Sequence, residues 1–526
     1  MRDAARAFLD FVRRRWPMLL IGVVAVAART WRFGDIPPGL NIDEASGAYD
    51  AFSLLERGVD RSGLRYPAIF TAFGSGMHPL AYYLSLPWLR MFGVHPWTIR
   101  VPALLLNLAA IPAFAALGRR AKGDRMATLC AFLLAIAPWS LLASRWTHEL
   151  TVFPALFTIG VALLVVAEEH QELLPWALLV FALCLYSYGP ALLVVPLFLV
   201  PSLVVLARRR RFALRTSVAS IAVFAVLAAP IAVFVAVNQL HMSSIHLPIF
   251  SIPRLSGVPR YQTMSPALGP EVGWRVETNL GNLLYLLWRQ DDGLVWNSVS
   301  GYGVTYPWSL PLAALGAIRA AQWTRTARSS VVPTLMWIWF GAGVVLGAVM
   351  PPNLTRINVL YPPLLFFAAA GLESLWSSRA VVWALGAAYV ASFAGLLLAY
   401  FQTYPARVGA AFFASIDEAI DEAATSTSRR ICVTDHVNYG LSYVYVLLAQ
   451  RIDPLVFLRT VEYENPGSEF QKVASFDRYT FGLERCRGSD IGAYVLDAPE
   501  VPSLPVGPYS VTRFGRYFVA VPRNGP

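Results

Sequence analysis

Charged residues are scarce in this 526-residue chain. They make up 14% of it, whereas a soluble globular protein carries charge on about a quarter of its residues. Hydrophobic residues make up 56%, and the mean hydropathy is +0.52. This balance excludes a soluble enzyme. Apolar runs close to the roughly 20 residues needed to cross the hydrocarbon core recur along most of the chain, which predicts a polytopic helical membrane protein.

Lysine is almost absent, since Lys122 and Lys472 are the two lysines among 43 basic residues. The net charge is +11, and the basic excess lies before residue 406, in short clusters between apolar runs. Such clusters are typical of membrane orientation, whereas nucleic-acid binding needs a basic solvated face with interleaved aromatic residues. Nucleic acid is therefore excluded as a partner, and membrane lipids are expected.

Eleven apolar segments are predicted to span the membrane. With a cytoplasmic N-terminus, every strong basic cluster lies on the cytoplasmic side, at 13–15, 119–122, 208–215 and 319–328. The C-terminus and the segments 34–95, 144–149, 238–305 and 351–356 then lie outside. The predicted spans are 16–33, 96–118, 125–143, 150–167, 173–187, 189–207, 214–237, 306–323, 331–350, 357–376 and 379–401.

The pattern predicts an all-α polytopic membrane domain of about 11 transmembrane helices with interfacial helices, over residues 1–405. An extracytoplasmic α/β domain is predicted over residues 406–526. Its opening stretch 412–420 is helix-like, and 431–434, 493–496 and 517–521 are strand-like. The long outside segment 238–305 is predicted to be a structured loop, and covering the acceptor is an alternative role for it.

The four cysteines divide between the two predicted domains. Cys130 and Cys184 lie in apolar spans and are expected to be small core residues. Cys432 and Cys486 lie in the outside domain, in a compartment that permits a disulfide. The spacing alone leaves the pairing open, because a disulfide requires a specific geometry.

The first outside segment contains a candidate site at the start of a predicted amphipathic helix. Asn41 is a suitable N-cap, Glu44 falls at the capping-box position, and Asp43 lies in the first turn, where the helix dipole favours negative charge. A carboxylate held there beside the bilayer is also well placed to accept a proton or to bind a metal ion. Both roles for Asp43 stay open at this point.

Two further elements lie outside the membrane. A Gly-rich stretch, 73–77, leads to His78 and to an apolar helix that contains Tyr82, where His78 serves either as a polar contact or as a functional residue. Arg145, His148 and Glu149 lie in the turn between two spans. Arg145 and Glu149 have the spacing of a helical salt bridge, and the alternative is a divalent metal site formed by Asp43 with His148 and Glu149. Asp43, His148 and Glu149 are the candidate metal ligands.

A fourth element follows two prolines at the outside end of a span. It contains Arg356 and, two residues on, Asn358. Arg356 either extends its charged end to the membrane surface or holds a phosphate there. Arginine suits a phosphate better than lysine does, because its planar guanidinium binds two oxygens.

The four elements, in this order, resemble the GT-C polytopic glycosyltransferases. Within that group, the chain is similar to the dolichyl-phosphate-mannose protein mannosyltransferases and the bacterial lipid A aminoarabinose transferases. The resemblance covers roughly residues 16–400. It is carried by Asn41-Ile42-Asp43-Glu44-Ala45, Phe73-Gly74-Ser75-Gly76-Met77-His78-Pro79-Leu80, Ser144-Arg145-Trp146 and Thr355-Arg356-Ile357-Asn358.

The resemblance implies a cell-envelope enzyme of the bacterial inner membrane. The implied reaction is an inverting transfer of a hexose or pentose from a polyprenyl-phosphate sugar to a hydroxyl of a lipid, glycan or protein acceptor on the outer face. Asp43 is then the catalytic carboxylate with Glu44 in support, Arg356 and Arg145 hold the donor phosphate, and His78, Tyr82 and Asn358 contact donor or acceptor.

The resemblance also bears on cofactors. A polyprenyl phosphate is already a stable leaving group, so no nucleotide cofactor is expected, in keeping with the lack of a P-loop or GxGxxG motif. His148-Glu149 stands where aminoarabinose transferases place a carboxylate, and no lysine follows the Gly-rich stretch. Whether the protein uses a metal ion, and whether its donor carries aminoarabinose, therefore both stay open. The alternative function is a lipid or solute transporter, which requires polar residues at mid-membrane.

Overall fold

A computed structural model describes residues 2–209, 212–257, 272–326, 330–486 and 490–523. Arg210, Arg211 and Arg328, which belong to the basic clusters used for orientation, lie outside the described residues, and so does the 258–271 part of the long outside segment. The chain divides into two compact units. The first comprises residues 1–33, 102–229 and 264–404, and the second comprises residues 34–101, 230–263 and 405–526.

Helices make up most of the described chain. In chain order they are α1 (Arg2–Thr30), α2 (Ile42–Arg57), α3 (Leu80–Phe92), α4 (Pro96–Lys122), α5 (Asp124–Ile136), α6 (Pro138–Ala143), α7 (Glu149–Val166), α8 (Leu174–Cys184), α9 (Ala191–Arg208), α10 (Leu214–Gln239), α11 (Val272–Arg289), α12 (Leu310–Thr326), α13 (Val332–Val349), α14 (Tyr361–Ser374), α15 (Arg379–Gln402), α16 (Tyr404–Val408), α17 (Ile416–Ser426), α18 (Tyr443–Ala449) and α19 (Pro454–Thr460).

The strands are fewer and lie mainly near the C-terminus. They are β1 (Ile245–His246), β2 (Ser251–Ile252), β3 (Arg430–Val433), β4 (Glu462–Tyr463), β5 (Val473–Phe476), β6 (Tyr479–Phe481), β7 (Ile491–Asp497), β8 (Tyr509–Phe514) and β9 (Tyr517–Pro522).

Each of the eleven predicted spans contains a helix. Within the described ranges, six helices are long and apolar enough to cross a membrane, namely α4, α7, α9, α10, α13 and α15. The predicted number of about eleven crossings is therefore not confirmed. The span predicted at 125–143 consists of two helices, because α5 ends at Ile136 and α6 begins at Pro138. Proline disfavours the helical conformation in the residue before it, and Ala137 is accordingly non-helical, with ψ of 129°.

Two helices of the first unit approach each other through glycines. A Cβ atom added to Gly316 of α12 would lie 1.7 Å from the carbonyl oxygen of Phe367 in α14. One added to Gly371 of α14 would lie 2.2 Å from the carbonyl oxygen of Leu312 in α12. Any side chain at either position would therefore separate the two backbones. Small residues at such contacts are typical of membrane helix pairs, where close packing stabilises association.

Aromatic side chains fill the space between α7, α8, α9 and α13. The ring centroid of Phe157 lies 5.2 Å from that of Phe181, 5.0 Å from that of Phe198 and 4.8 Å from that of Trp339. All four side chains are fully buried. Packing of this kind holds the helices of the first unit at fixed separations.

The second unit contains a seven-stranded mixed sheet, in the order β4-β5-β6-β3-β7-β9-β8. The central strand β3 is parallel to both β6 and β7, and the outer strands pair antiparallel. The predicted C-terminal α/β fold is thereby confirmed, and its three strand-like stretches correspond to β3, β7 and β9. The predicted helix 412–420 begins later, at Ile416.

Cys432 and Cys486 form a disulfide between β3 and the segment after β6. Cys432 and Cys486 are bonded and nearly fully buried, whereas Cys130 and Cys184 are free and buried in helices, as predicted. The sequence left this pairing open, and the structure shows the bond.

The segment 238–305, predicted to be a structured loop, has regular elements in its described parts. It contains the 18-residue helix α11 in the first unit and the short β1-β2 pair in the second. The side chain of Asn279 in α11 donates to the carbonyl oxygen of Ala348 in α13, at 3.0 Å. Leu283 packs against Gly347 of the same helix. The division of function between residues 1–405 and 406–526 stays a prediction.

Candidate active site

The start of α2 confirms the predicted N-cap. Asn41 is extended, with φ of −64° and ψ of 155°, and its side-chain oxygen accepts a hydrogen bond from the backbone N–H of Asp43 at 3.1 Å. Every residue from Ile42 to Leu54 is buried except Asp43, which is partly exposed. The helix therefore presents one carboxylate at its first turn.

Glu44 is held by a buried arginine that the sequence analysis missed. Both side chains are fully buried, and Arg100 binds the two carboxylate oxygens of Glu44 at 2.9 Å each. The remaining N–H groups of Arg100 donate to the carbonyl oxygens of Gly34, Pro37 and Gly39, at 2.9, 2.9 and 2.6 Å. One guanidinium thus joins the first turn of α2 to the loop before it. Glu44 can support Asp43 through this fixed geometry.

Tyr82 also lies against the first turns of α2. Its hydroxyl donates to the backbone carbonyl oxygen of Asp43 at 3.0 Å. Its ring lies over Gly47, where an added Cβ atom would be 2.2 Å from the ring. The glycine therefore permits α3 to approach α2 closely. His78 is buried just before α3, and the preceding Gly74 and Gly76 have φ of 111° and 88°, as the predicted Gly-rich turn requires.

The predicted polar face of α2 is occupied further along by Arg61. Its guanidinium binds both carboxylate oxygens of Asp50, at 2.9 and 2.7 Å, and it also donates to Ser46. Arg61 and Asp50 are both buried. This arginine is 11 residues beyond Asp50, outside the helix, so helical spacing gives no signal of the pair. Asp50 is therefore a structural residue.

A buried carboxyl beside this pair predicts an unusual pH dependence. Burial raises the pKa of Asp60 from its ordinary value of 3.8 to about 6, and the charge of Asp50 adds to the rise. Asp60 accepts from the backbone N–H groups of Ser62 and Leu64 and from the hydroxyls of Ser62 and Thr71. Because the pKa of Asp60 is higher in the folded state than in the unfolded chain, protonation of Asp60 stabilises the fold. This stabilisation is complete below about pH 4 and is lost as pH rises through about 6.

We expect Asp60→Asn to remove this dependence. Between pH 4 and pH 7, the free energy of unfolding of the wild type should fall relative to that of the variant by up to about 3 kcal/mol, because each tenfold change in proton affinity corresponds to about 1.4 kcal/mol. Denaturant unfolding of both proteins at several pH values measures the difference. A difference that stays constant across this range contradicts the prediction.

Arg145, in the first unit, uses all its N–H groups within that unit. It donates to the carbonyl oxygens of Ala28, Arg29, Trp31 and Arg32, at 2.7 to 3.2 Å, and to the hydroxyl of Tyr400, at 3.1 Å. It is fully buried. The guanidinium has five N–H groups, and these contacts account for all of them. The geometry therefore favours a structural role over the predicted phosphate contact and over the helical pair with Glu149.

His148 and Glu149 begin α7. His148 is the N-cap, and its Nδ1 accepts from the backbone N–H of Leu150 at 3.3 Å, while Thr151 completes a capping box. Glu149 is the first helical residue and is 6% exposed. The predicted metal set of Asp43, His148 and Glu149 stays a prediction, because Asp43 belongs to the second unit and the other two residues belong to the first.

The turn before α14 presents Arg356. Its backbone N–H donates to Asn353, and one guanidinium nitrogen, Nη1, donates to the carbonyl oxygen of Pro351 at 2.8 Å. Arg356 is partly exposed, and among the described residues its Nε and Nη2 atoms have no protein acceptor. The turn is anchored by Asp292, which accepts from the backbone N–H of Leu354 at 3.1 Å. Arg356 thus retains the donors that an anionic ligand requires.

Asn358 points into a small cavity beside this turn. Its amide nitrogen donates to the carbonyl oxygen of Leu150 at 2.9 Å, and its buried side-chain oxygen has no partner in the described structure. The buried side-chain oxygen of Asn297 also has no partner in the described structure, and Asn297 and Asn358 line the same cavity. Its aromatic walls are Trp139, Trp146, Trp296 and Tyr361.

The predicted site residues therefore fall into two groups. The second unit brings together Asp43, Glu44 and Tyr82 and places His78 just before α3. The first unit holds Arg145, His148, Glu149, Arg356 and Asn358. Arg100 was missed from the sequence, because its partner Glu44 is distant in the chain and gives no local signal.

Comparison with known proteins identifies the fold. A family model described as dolichyl-phosphate-mannose-protein mannosyltransferase matches residues 77–235. ArnT from Cupriavidus metallidurans, solved with undecaprenyl phosphate, aligns over 97% of this chain and 99% of its own, with a TM-score of 0.59 and 14% identity. The chain has a GT-C-type fold. The resemblance predicted from the four sequence elements is confirmed.

A second GT-C-type relative is the oligosaccharyltransferase AglB from Archaeoglobus fulgidus. Its complex with an inhibitory peptide and a dolichol-phosphate aligns over 93% of this chain and 70% of its own, with a TM-score of 0.51 and 14% identity. No curated protein sequence matches the chain significantly. At this identity the structural matches establish the fold alone. The comparisons do not favour the alternative, a lipid or solute transporter.

Proposed function

We propose that this GT-C-type protein is an integral membrane glycosyltransferase. It transfers one sugar, a hexose or a pentose, from a polyprenyl-phosphate sugar to a hydroxyl of a lipid, glycan or protein acceptor on the outer face of the membrane. The observation that carries the proposal is the position of Asp43. It is the one residue of Ile42–Leu54 that is not buried, in a helix start that Arg100 and Tyr82 hold in place. The family model and the two relatives, one solved with undecaprenyl phosphate and one with dolichol-phosphate, support the class of donor.

The proposed reaction is a single displacement at the anomeric carbon. Asp43 accepts the proton of the acceptor hydroxyl as its oxygen forms a bond to that carbon. The bond between the carbon and the phosphate oxygen breaks, and the polyprenyl phosphate leaves with the electron pair. One displacement inverts the anomeric configuration. Glu44, bound to Arg100, keeps the first turn of α2 in position.

In the proposal, Arg356 stabilises the leaving phosphate. Its Nε and Nη2 form a two-pronged donor, which suits two phosphate oxygens. Asn358 and the aromatic residues beside it are proposed to contact the donor, and Tyr82 and His78 to shape the surroundings of Asp43. The proposed location is the bacterial inner membrane, with a cytoplasmic N-terminus and the active face outside.

We expect Arg356→Gln to lower turnover about 10- to 100-fold, because a hydrogen bond to a charged group is worth about 1.5 to 3 kcal/mol. Single-turnover release of polyprenyl phosphate measures the change. Arg319→Gln is the matched control, since it removes an exposed arginine from α12 and should leave turnover unchanged. Equal turnover in the two variants would remove Arg356 from the site.

The proposed function is tested with purified protein in detergent and a panel of donors. The panel contains polyprenyl phosphates carrying a hexose, a pentose or an aminopentose, and a nucleotide sugar as a control. We expect release of polyprenyl phosphate from at least one lipid-linked donor and none from the nucleotide sugar. No turnover with any lipid-linked donor contradicts the proposal and makes the transporter the leading alternative.

A further inference from the structure

Three ligand-type side chains meet at one edge of the C-terminal sheet. Asp435 and His436 follow the end of β3, and Glu500 follows the end of β7. Because β3 and β7 are adjacent and parallel, their carboxyl ends lie at the same edge. In open sheets with helices, ligands bind in the crevice outside the carboxyl ends of parallel strands. The sequence analysis singled out neither the residues nor this edge.

The ligand atoms of the three side chains lie close together. One from each residue can be chosen so that all are within 4.8 Å of one another. His436 Nε2 is 4.0 Å from Glu500 Oε1. Metal–ligand bonds of about 2 Å require these atoms to close by about 1 Å, and His436 is exposed enough to move that far.

Glu500 is the fixed member of the cluster. It is 6% exposed, and its Oε2 accepts from the backbone N–H of Asp497 at 2.7 Å. Its Oε1 lies 4.0 Å from His436 Nε2. The contact to Asp497 has the form of the outer hydrogen bond that orients a metal-ligating carboxylate.

The three residues line a cavity of about 880 Å³. The cavity wall also carries Arg429, Tyr494, Tyr509 and Arg523. A cation held by three protein ligands on such a wall retains an open coordination position toward the cavity. Three protein ligands and one open position are typical of zinc sites that bind an exchangeable water or substrate.

We propose that Asp435, His436 and Glu500 bind a divalent transition metal ion, Zn²⁺ in the first instance. One imidazole and two carboxylates form a mixed nitrogen and oxygen donor set, which suits Zn²⁺ or Mn²⁺ better than Ca²⁺ or Mg²⁺, whose ligands are oxygen alone. This site lies outside the proposed glycosyltransferase machinery and does not depend on it.

The test is Zn²⁺ binding by the full-length protein in detergent, after removal of metal with a chelator. Competition with a chromophoric chelator measures the number of equivalents and their affinity. We expect the wild type to bind at least one equivalent. His436→Ala and Glu500→Gln should weaken or lose one equivalent, by at least about tenfold in affinity. Glu500→Gln keeps an oxygen for the Asp497 N–H, and His436→Ala changes an exposed side chain, so both should fold.

His246→Ala is the matched control, because it removes an exposed histidine from β1 of the same unit. This variant should bind the same number of Zn²⁺ equivalents as the wild type, with the same affinity. With Co²⁺ in place of Zn²⁺, the visible absorption of the bound ion should be lost in His436→Ala and kept in His246→Ala. Wild-type protein that binds no equivalent overturns the proposal. So does an equivalent that His436→Ala and Glu500→Gln both retain at wild-type affinity.

Discussion

Replacement of Asp43 by asparagine is expected to lower sugar transfer by about 10²- to 10⁴-fold, the contribution of a positioned general base. Asparagine keeps the shape of the side chain and its place in the first turn of α2, but it cannot take a proton from the acceptor. Asp43 is the partly exposed carboxylate of an otherwise buried helix start, so the loss falls on chemistry rather than on packing. The assay is donor turnover under single-turnover conditions.

The matched control for this prediction is Asp417→Asn. Asp417 occupies the same position in α17 as Asp43 does in α2, the second helical residue, and it is exposed. Its replacement removes the same favourable interaction with the helix dipole. Turnover should therefore stay at the wild-type level. If the turnover of Asp43→Asn equalled that of this control, Asp43 would only stabilise the helix start, and its proposed role as the base would be wrong.

Glu44→Gln is expected to lower the free energy of unfolding by about 3 to 5 kcal/mol, because it leaves the charge of Arg100 buried without its partner. Both side chains are fully buried, and Arg100 also holds three carbonyl oxygens of the loop before α2. Denaturant unfolding in detergent measures the loss. The same change should reduce sugar transfer, since the loop and the first turn of α2 share this one anchor.

An exposed ion pair of the same unit supplies the control. Arg57 and Asp453 are paired at the surface, and the side chain of Arg57 is 48% exposed. Asp453→Asn keeps the N-cap of α19, because asparagine caps a helix as well as aspartate does. Its effect on stability should be small, since exposed pairs contribute little. A Glu44→Gln variant as stable as Asp453→Asn would mean that the buried pair is replaceable.

Local sequence patterns predicted the parts of this molecule that local physics determines. The apolar runs predicted a helix in every proposed span, and the residues around Asn41 predicted the start of α2. Short runs rich in apolar, β-branched and aromatic residues predicted β3, β7 and β9. Each of these features depends on residues within about one helical turn or one strand, so the local sequence is enough to predict it.

The buried polar contacts could not be predicted in the same way. Glu44 and Arg100 are 56 residues apart, and no periodicity connects them. The resemblance implies that Arg145 holds the donor phosphate, yet four of its five N–H groups donate to distant backbone carbonyls. In such cases the chemistry of the side chain is known from the sequence, but its partner is set by the tertiary fold.

The C-terminal domain shares its core with α2. Ala48 and Phe52 of α2 belong to one hydrophobic cluster with Ile416 and Val446, and Tyr49 donates to the carbonyl oxygen of Ile452 at 2.9 Å. Deletion of residues 406–526 would expose this face of α2. A loss of activity in the truncated protein would therefore not distinguish acceptor recognition from support of α2, and point variants on the sheet are the better test.

The contacts of Arg145 also order events in time. The last carbonyl groups of a helix have no partner within it. Those of Ala28 and Arg29 at the end of α1 accept hydrogen bonds from Arg145, which lies 117 and 116 positions later. At the usual rate of synthesis, that residue follows on the order of ten seconds afterwards. Until then, these carbonyl groups lack their partner. A chain interrupted before residue 145 therefore lacks the group that binds the end of α1.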